Sequence, residues 1–117
     1  MLGDGRQRKS YLYCGDCVAG VLLAWRKARG RFSVFNLGTD ESCTVDRSAS
    51  WIAGRLGLKP RLVHSGGRRG WIGDSPLILL DCRRVRGLGW SPSLGIRESI
   101  LRTVDCIMEN RWILDRR

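Results

Sequence analysis

Apolar side chains recur at helical spacing in three stretches of this chain, whereas strand-like stretches are few and short. Val18, Val21, Leu22, Trp25 and Ala28 line one face of a helix predicted over about Cys17–Arg29. Asp16 is its expected N-cap, Lys27 and Arg29 sit at its negative pole, and Gly30 closes it. A second helix, about Val45–Leu56, is capped by Thr44, carries Asp46 in its first turn, buries Val45, Ala49, Ile52, Ala53 and Leu56, and ends at Gly57. A third, about Ile96–Glu109, follows Gly95 and has a stripe of Ile96, Ile100, Leu101, Val104, Ile107 and Met108. A short helix opening at Asp81 and closing at Gly87–Gly89 makes a fourth.

Phe32–Leu37 reads as a strand with Phe32, Val34 and Asn36 on one side, Pro60–His64 reads as another, and Tyr11–Cys14 as a short extended segment. Such strands are too few and too short for a complete doubly wound sheet. The expected fold class is therefore α/β of a fragmentary, α+β-like kind, with about four helices and two or three short strands. Apolar faces on every helix then imply a partner surface outside the chain. The tail from Asn110 to Arg117 is basic and expected to fray.

With 117 residues, 43% of them hydrophobic and 27% charged, the chain is sized for one folded domain. No apolar run reaches the ~18 residues of a membrane span, and the first 15 residues have no signal-peptide core. The expectation is a cytoplasmic protein with no membrane partner. A net charge of +10 calls for an anionic partner. The cations are nevertheless scattered, and no zinc-finger, homeodomain or RNA-recognition pattern occurs, so nucleic acid is the least favoured partner. Cys14-Gly-Asp-Cys17 has the C-x-x-C spacing, but a structural zinc site needs a second pair and none exists. His64, the single histidine, has no partner evident in the sequence, so no metal is expected.

The chemistry concentrates in Gly66–Pro92. A basic glycine-rich loop, Gly66-Gly-Arg-Arg-Gly70, is followed by Gly73-Asp74 and the apolar run Leu77–Leu80. Glycines let a backbone approach a ligand, arginines fork onto phosphate oxygens, and a carboxylate accepts from sugar hydroxyls. Together they suit a nucleoside-diphosphate clamp; the alternative is a surface loop whose charges are merely solvated.

Five stretches, in order, resemble the C-terminal part of the extended short-chain dehydrogenase/reductases, especially nucleotide-sugar 4-epimerases and dehydratases. They are Gly3-Asp-Gly-Arg-Gln-Arg-Lys-Ser-Tyr-Leu-Tyr-Cys-Gly-Asp16, Val34-Phe-Asn-Leu-Gly38, Arg69-Gly-Trp-Ile-Gly-Asp74, Asp81 through Pro92, and Ile96-Arg-Glu-Ser-Ile100. The resemblance implies that Lys9, with Arg8 beside it, stands where the family has a diphosphate-binding arginine, and that Asp74 meets the ribose hydroxyls. Arg69 is the match to a second phosphate arginine, two residues further from Gly73-Asp74 than in the family's R-x-G-D form. Lysine at position 9 keeps the charge but loses the bidentate fork. Asn36 and Trp90 are read as structural, and Cys14 and Cys17 as packing residues.

The family's G-x-x-G-x-x-G dinucleotide turn and its Tyr-x-x-x-Lys pair are both missing: Tyr11 is followed four residues on by Gly15, and Tyr13 by Cys17. No catalytic residue is assigned. The resemblance implies a single substrate-binding portion over 1–117, inactive alone and binding no cofactor itself. NAD belongs to the complete enzyme, on an N-terminal Rossmann polypeptide. The alternatives are a free-standing module for nucleotide sugars or another phosphorylated ligand and, less favoured, a basic nucleic-acid-binding protein.

Overall fold

The computed structural model describes residues 1–75 and 77–115. Two strands, β1 (Arg8–Lys9) and β2 (Cys43–Thr44), pair antiparallel with Arg8 opposite Thr44 and Lys9 opposite Cys43. Five helices accompany them: α1 (Cys14–Lys27), α2 (Val45–Arg55), α3 (Arg83–Arg86), α4 (Ile96–Glu109) and α5 (Trp112–Asp115). The class is the expected one, a small α/β fragment.

Helix α2 begins where its cap predicts. The Thr44 hydroxyl accepts from the Arg47 N–H at 3.2 Å, satisfying one of the orphan donors of the first turn. At the other end Gly57 takes φ +67, Gly57 N–H donates to Gly54 and Leu58 N–H to Ala53, a Schellman closure that a Cβ would strain. Helix α4 also has the predicted bounds. Its entry is fixed by Glu41, whose carboxylate accepts from Ile96 N–H at 2.6 Å, and by Glu98, which accepts from Gly95 N–H. The two helices pack together, tied across their exposed edge by Arg55 and Asp105 at 2.7 and 2.8 Å.

Helix α1 differs from its expectation. It starts at Cys14 after Tyr13 and ends with Ala28 as its C-cap, so neither Asp16 nor Gly30 caps it. Asp16 lies inside the first turn, buried, and its carboxylate accepts from Ser93 Oγ at 2.6 Å and Leu94 N–H at 3.3 Å. Burial opposes its ionisation, but those hydrogen bonds and Arg102 hold its pKa below the usual carboxylate value. Cys14 is exposed and Cys17 half-buried, so Cys14 is not a core substitution.

The stripe expected to be the buried face of α1 is the exposed one: Val18, Val21 and Leu22 are open and Trp25 is 78% exposed. Among the described residues Phe32–Leu37 joins no ladder and Phe32 is 86% exposed; all four residues of the apolar run Leu77–Leu80 are exposed, with Leu77 making a single parallel bridge to Arg8. Pro60–His64 likewise forms no ladder. The reading of Phe32–Leu37 and Pro60–His64 as strands fails, because a strand needs a second one along its length to satisfy its N–H and C=O groups, and Pro60–His64 meets the chain start only where the Val63 carbonyl accepts from the Met1 ammonium.

What is buried forms two small clusters. Cys43, Ile96 and Ile100 gather with Trp51 between α2 and α4; Cys82, Val85 and Trp90 gather with Leu12, Leu23, Phe35 and Leu37 beneath α1 and α3. The surface is 8870 Å², against roughly 6,400 Å² for a folded monomer of this mass. The radius of gyration is 16.8 Å, against about 13 Å for a compact chain of this length. Part of a core is therefore turned outward. Beyond α4 the short helix α5 stands where fraying is expected; the last two residues of that tail lie outside the described residues.

Candidate nucleotide-diphosphate site

Lys9 and Asp74 meet although 65 positions separate them. The Lys9 ammonium donates to Asp74 Oδ1 and, at 2.7 Å, to the Ser75 carbonyl; Gly70 N–H donates to Asp74 Oδ2 at 3.0 Å. A turn brings Asp74 round, its N–H donating to the Trp71 carbonyl at 3.0 Å. Arg69 lies in the same loop and its guanidinium donates to the Ile72 carbonyl at 3.5 Å. The Lys9 hydrogen bond, then the Gly70 N–H and the charges of Lys9 and Arg69, lower the Asp74 pKa. The site thus holds an ionised acceptor beside two cations, on a loop that is open at Gly66 and Gly67 and closely packed at Gly70 and Gly73.

Three of the four residues named for binding therefore share one place: Lys9, Arg69 and Asp74. Arg8 points elsewhere. Neighbours on a strand face opposite sides, and the Arg8 guanidinium donates to the Ser42 hydroxyl at 3.0 and 2.8 Å and to the Ser42 carbonyl at 3.2 Å. It lines a separate cleft with Arg47, Trp51 and Arg97 at the entries of α2 and α4.

Sequence reading assigns no role to Gln7. It is 4% exposed, its Nε2–H donates to the Leu2 carbonyl at 3.3 Å, and its Oε1 is buried without a hydrogen-bond partner. The signal available is its i, i+2 relation to Lys9, which matters only once β1 is known to be extended. His64, read as having no evident partner, meets Asp46 Oδ1 at 2.7 Å. Asn36 and Trp90 are structural contacts: Asn36 Nδ2–H donates to the Asp81 carbonyl at 3.0 Å, and the Trp90 ring is buried.

Among the described residues no three His, Cys, Asp or Glu side chains converge on a metal-sized space, and no helix is long and apolar enough to cross a membrane. Burial pushes the Cys43 and Cys82 thiols up, away from the reactive thiolate. Among the described residues no glycine-rich turn leads from a strand into a helix N-terminus: α1 opens after Tyr13 and α2 after Thr44.

In sequence and fold the chain matches the C-terminal portion of NAD-dependent nucleotide-sugar epimerases and dehydratases of the extended short-chain dehydrogenase/reductase type. The particular relatives begin with UDP-glucose 4-epimerase of Mycolicibacterium smegmatis, 30% identical over 106 residues, 90% of this chain and 33% of that protein. UDP-glucose 4-epimerase of Thermotoga maritima, solved with UDP-glucose, superposes with a TM-score of 0.80 at 29% identity over 94% of this chain and 34% of its own. MoeE5, solved with UDP-glucuronic acid and NAD, gives a TM-score of 0.79 at 28% identity over 94% and 36% of the two chains. GDP-L-fucose synthase and dTDP-D-glucose 4,6-dehydratase are further relatives. The chain spans about a third of the length of the proteins it matches. No family model matches it.

Proposed function

We propose that this chain is the nucleotide-sugar-binding portion of an NAD-dependent nucleoside-diphosphate-sugar epimerase or dehydratase. It supplies contacts to the diphosphate and ribose and performs no chemistry alone. The observation that carries the reading is the Lys9–Asp74 pair beside Arg69 and the Gly70 amide. Lys9 and Arg69 offer positive charge to phosphate oxygens, and Asp74 offers a carboxylate to vicinal hydroxyls. A nucleoside diphosphate entering here takes over the Lys9 ammonium from Asp74, so its phosphates gain a cation and its ribose gains a released acceptor.

NAD, when bound by the complete enzyme, supplies the hydride acceptor; we assign it to a separate NAD-binding half. The residues of this chain bind and orient the sugar nucleotide for that step, a contribution of proximity and not of proton transfer. The open face of α1 with the exposed apolar segments Phe32–Leu37 and Leu77–Leu80 is where that half would seat. The excess of roughly 2,400 Å² over a folded monomer's surface is of the order one partner contributes to a large obligate interface.

Calorimetric titration of the purified chain with UDP-, dTDP- and GDP-sugars tests the binding reading. Saturable binding to one of them, absent for the free sugar, is the expected result; no binding to any of the three overturns it. A free-standing binding module is separated from this reading by adding a matching NAD-binding half. Restored interconversion is expected here and not for a stand-alone module, whereas turnover by the chain unaided contradicts both.

A further inference from the structure

Cys14-Gly-Asp-Cys17 opens α1 and has no part in the nucleotide site. Cys14 is the first residue of the helix and is exposed; Cys17, one turn on, is half-buried. The other free thiols are placed differently: Cys43 and Cys82 are buried in the two clusters, and Cys106 is on α4. Residues three apart in a helix have Cα atoms about 5 Å from each other, within the range of roughly 4.4–6.8 Å that a disulfide spans. The first residue of a helix makes no N–H bond inside it, so bringing the two Cβ atoms to bridging distance sacrifices no helical hydrogen bond.

The turn that carries the pair is held from behind. Asp16 sits between the two cysteines in sequence but on the opposite face, buried, its carboxylate accepting from Ser93 Oγ and Leu94 N–H and its carbonyl from Trp90 Nε1–H. Cys14 and Cys17 therefore lie away from that anchor, on the side of α1 that carries Val18, Val21 and Trp25. Gly15 adds no side chain beside them; a Cβ there would stand 2.7 Å from Tyr13 Cε1. Arg102 stacks over the same Tyr13 ring, 5.3 Å from its centroid, and brings a cation to the entry of the helix. A partly exposed thiol pair with a cation nearby is the setting of thiol–disulfide exchange, and exposed bridges are the ones that reopen.

We propose that Cys14 and Cys17 form a thiol–disulfide exchange site whose co-reactant is a small anionic disulfide of the glutathione class. The Cys14 thiolate attacks one sulfur of glutathione disulfide. A bond from Cys14 to glutathione forms, the S–S bond of the reagent breaks, and the departing glutathione takes up the proton that Cys14 lost. The Cys17 thiolate then attacks the Cys14 sulfur, closing the Cys14–Cys17 bridge and expelling the second glutathione, which takes the second proton. Two cysteine thiols are oxidised and one disulfide is reduced to two thiols; excess reduced glutathione runs both steps backwards. The site stands independently of the nucleotide-binding reading. Cys14 shares the face assigned above to an NAD-binding half, so the exchange belongs to the chain with that face open.

The test equilibrates the full chain in buffers of stepped reduced-to-oxidised glutathione ratio, quenches with acid, alkylates free thiols in denaturant and digests with trypsin. Cleavage after Lys9 and Arg26 puts Cys14 and Cys17 on one peptide, residues 10–26, while Cys43, Cys82 and Cys106 each fall on another. As the buffer becomes more oxidising, residues 10–26 are expected to lose both alkyl groups together and to regain both when reduced glutathione is restored. The peptides of Cys43 and Cys82 are expected to stay alkylated. Cys17→Ser is expected to stop after the first step and to be recovered with one glutathione on Cys14. If residues 10–26 of the wild type keep both alkyl groups at every ratio, or Cys14 is recovered joined to Cys106 or to a second copy of the chain, the proposal falls. Loss of alkylation at Cys43 or Cys82 in step with the pair would show that unfolding drives the reaction, and a Cys17→Ser chain without glutathione on Cys14 would overturn Cys14 as the attacking thiol.

Discussion

The Trp90 indole donates its Nε1–H to the backbone carbonyl of Asp16 at 3.1 Å, across 74 positions of sequence. The Asp16 carboxylate returns the connection by accepting from Ser93 and Leu94, so one turn of α1 is pinned to the Trp90–Leu94 loop through both its backbone and its side chain. Gly20, one turn further along α1, permits the approach: a Cβ there would stand 2.7 Å from Leu37 Cδ2 and 3.0 Å from Trp90 Nε1. Gly20→Ala is therefore expected to destabilise the fold by about 1–3 kcal/mol despite alanine's better helix propensity, because overpacking outweighs it. Chemical denaturation with an unchanged m-value checks this, and a more stable variant would contradict the packing.

Removing the Asp74 carboxylate separates binding from folding. Asp74→Ala is expected to weaken nucleotide-sugar binding tenfold or more while leaving the far-UV spectrum and cooperative unfolding in place. Titration calorimetry beside circular dichroism makes the comparison; equal affinity in the variant would remove Asp74 from the site.

Lysine at position 9 is a point charge where a fork would serve phosphate better. Lys9→Arg is expected to preserve diphosphate binding or tighten it, and Lys9→Met to weaken it with a reduced dependence on ionic strength. Affinities measured at low and high salt distinguish the two, and a Lys9→Met variant with wild-type affinity and salt dependence would show that Lys9 meets no phosphate.

The Lys9–Asp74 tie carries a pH dependence of known sign. The folded Asp74 pKa lies below its ordinary value of 3.8, chiefly because of the Lys9 hydrogen bond and then the Gly70 N–H. A depressed carboxylate stabilises the fold above its unfolded pKa, and that stability is lost as pH falls through the folded pKa. Melting curves of wild type and Asp74→Asn are thus expected to differ at neutral pH and to converge below about pH 4. A difference that grows on acidification would reverse the assignment.

The open face of α1 predicts an unusual indifference to charge. Val21→Glu with Trp25→Glu would cost several kcal/mol in a buried helix face. Because Val21 and Trp25 are exposed, stability is expected to stay within about 0.5 kcal/mol, while association with an NAD-binding half is abolished. Thermal melts and a co-purification assay report the two effects separately; a large loss of stability would mean that this chain covers the face itself.

Local signals alone set the bounds of α2 and α4. Thr44, Gly57 and the apolar stripe beginning at Ile96 act through hydrogen bonds and φ values within a few residues, and so they are legible without neighbours. The five family-like stretches, read in order, likewise pointed from residue identities to the C-terminal portion of nucleotide-sugar epimerases and dehydratases, which the chain matches. Tertiary structure decided what depends on a second surface. The apolar stripe of α1 is the same whether it faces a core or solvent, because periodicity reports which residues share a face and not what stands opposite. Phe32–Leu37 has strand-forming side chains, yet a strand exists only when another backbone takes its hydrogen bonds. The candidate site follows the same division: Lys9, Arg69 and Asp74 could be named from sequence, but the direction of Arg8 and the unpartnered Oε1 of Gln7 depended on β1, a strand of two residues held by contacts 34 and 65 positions away.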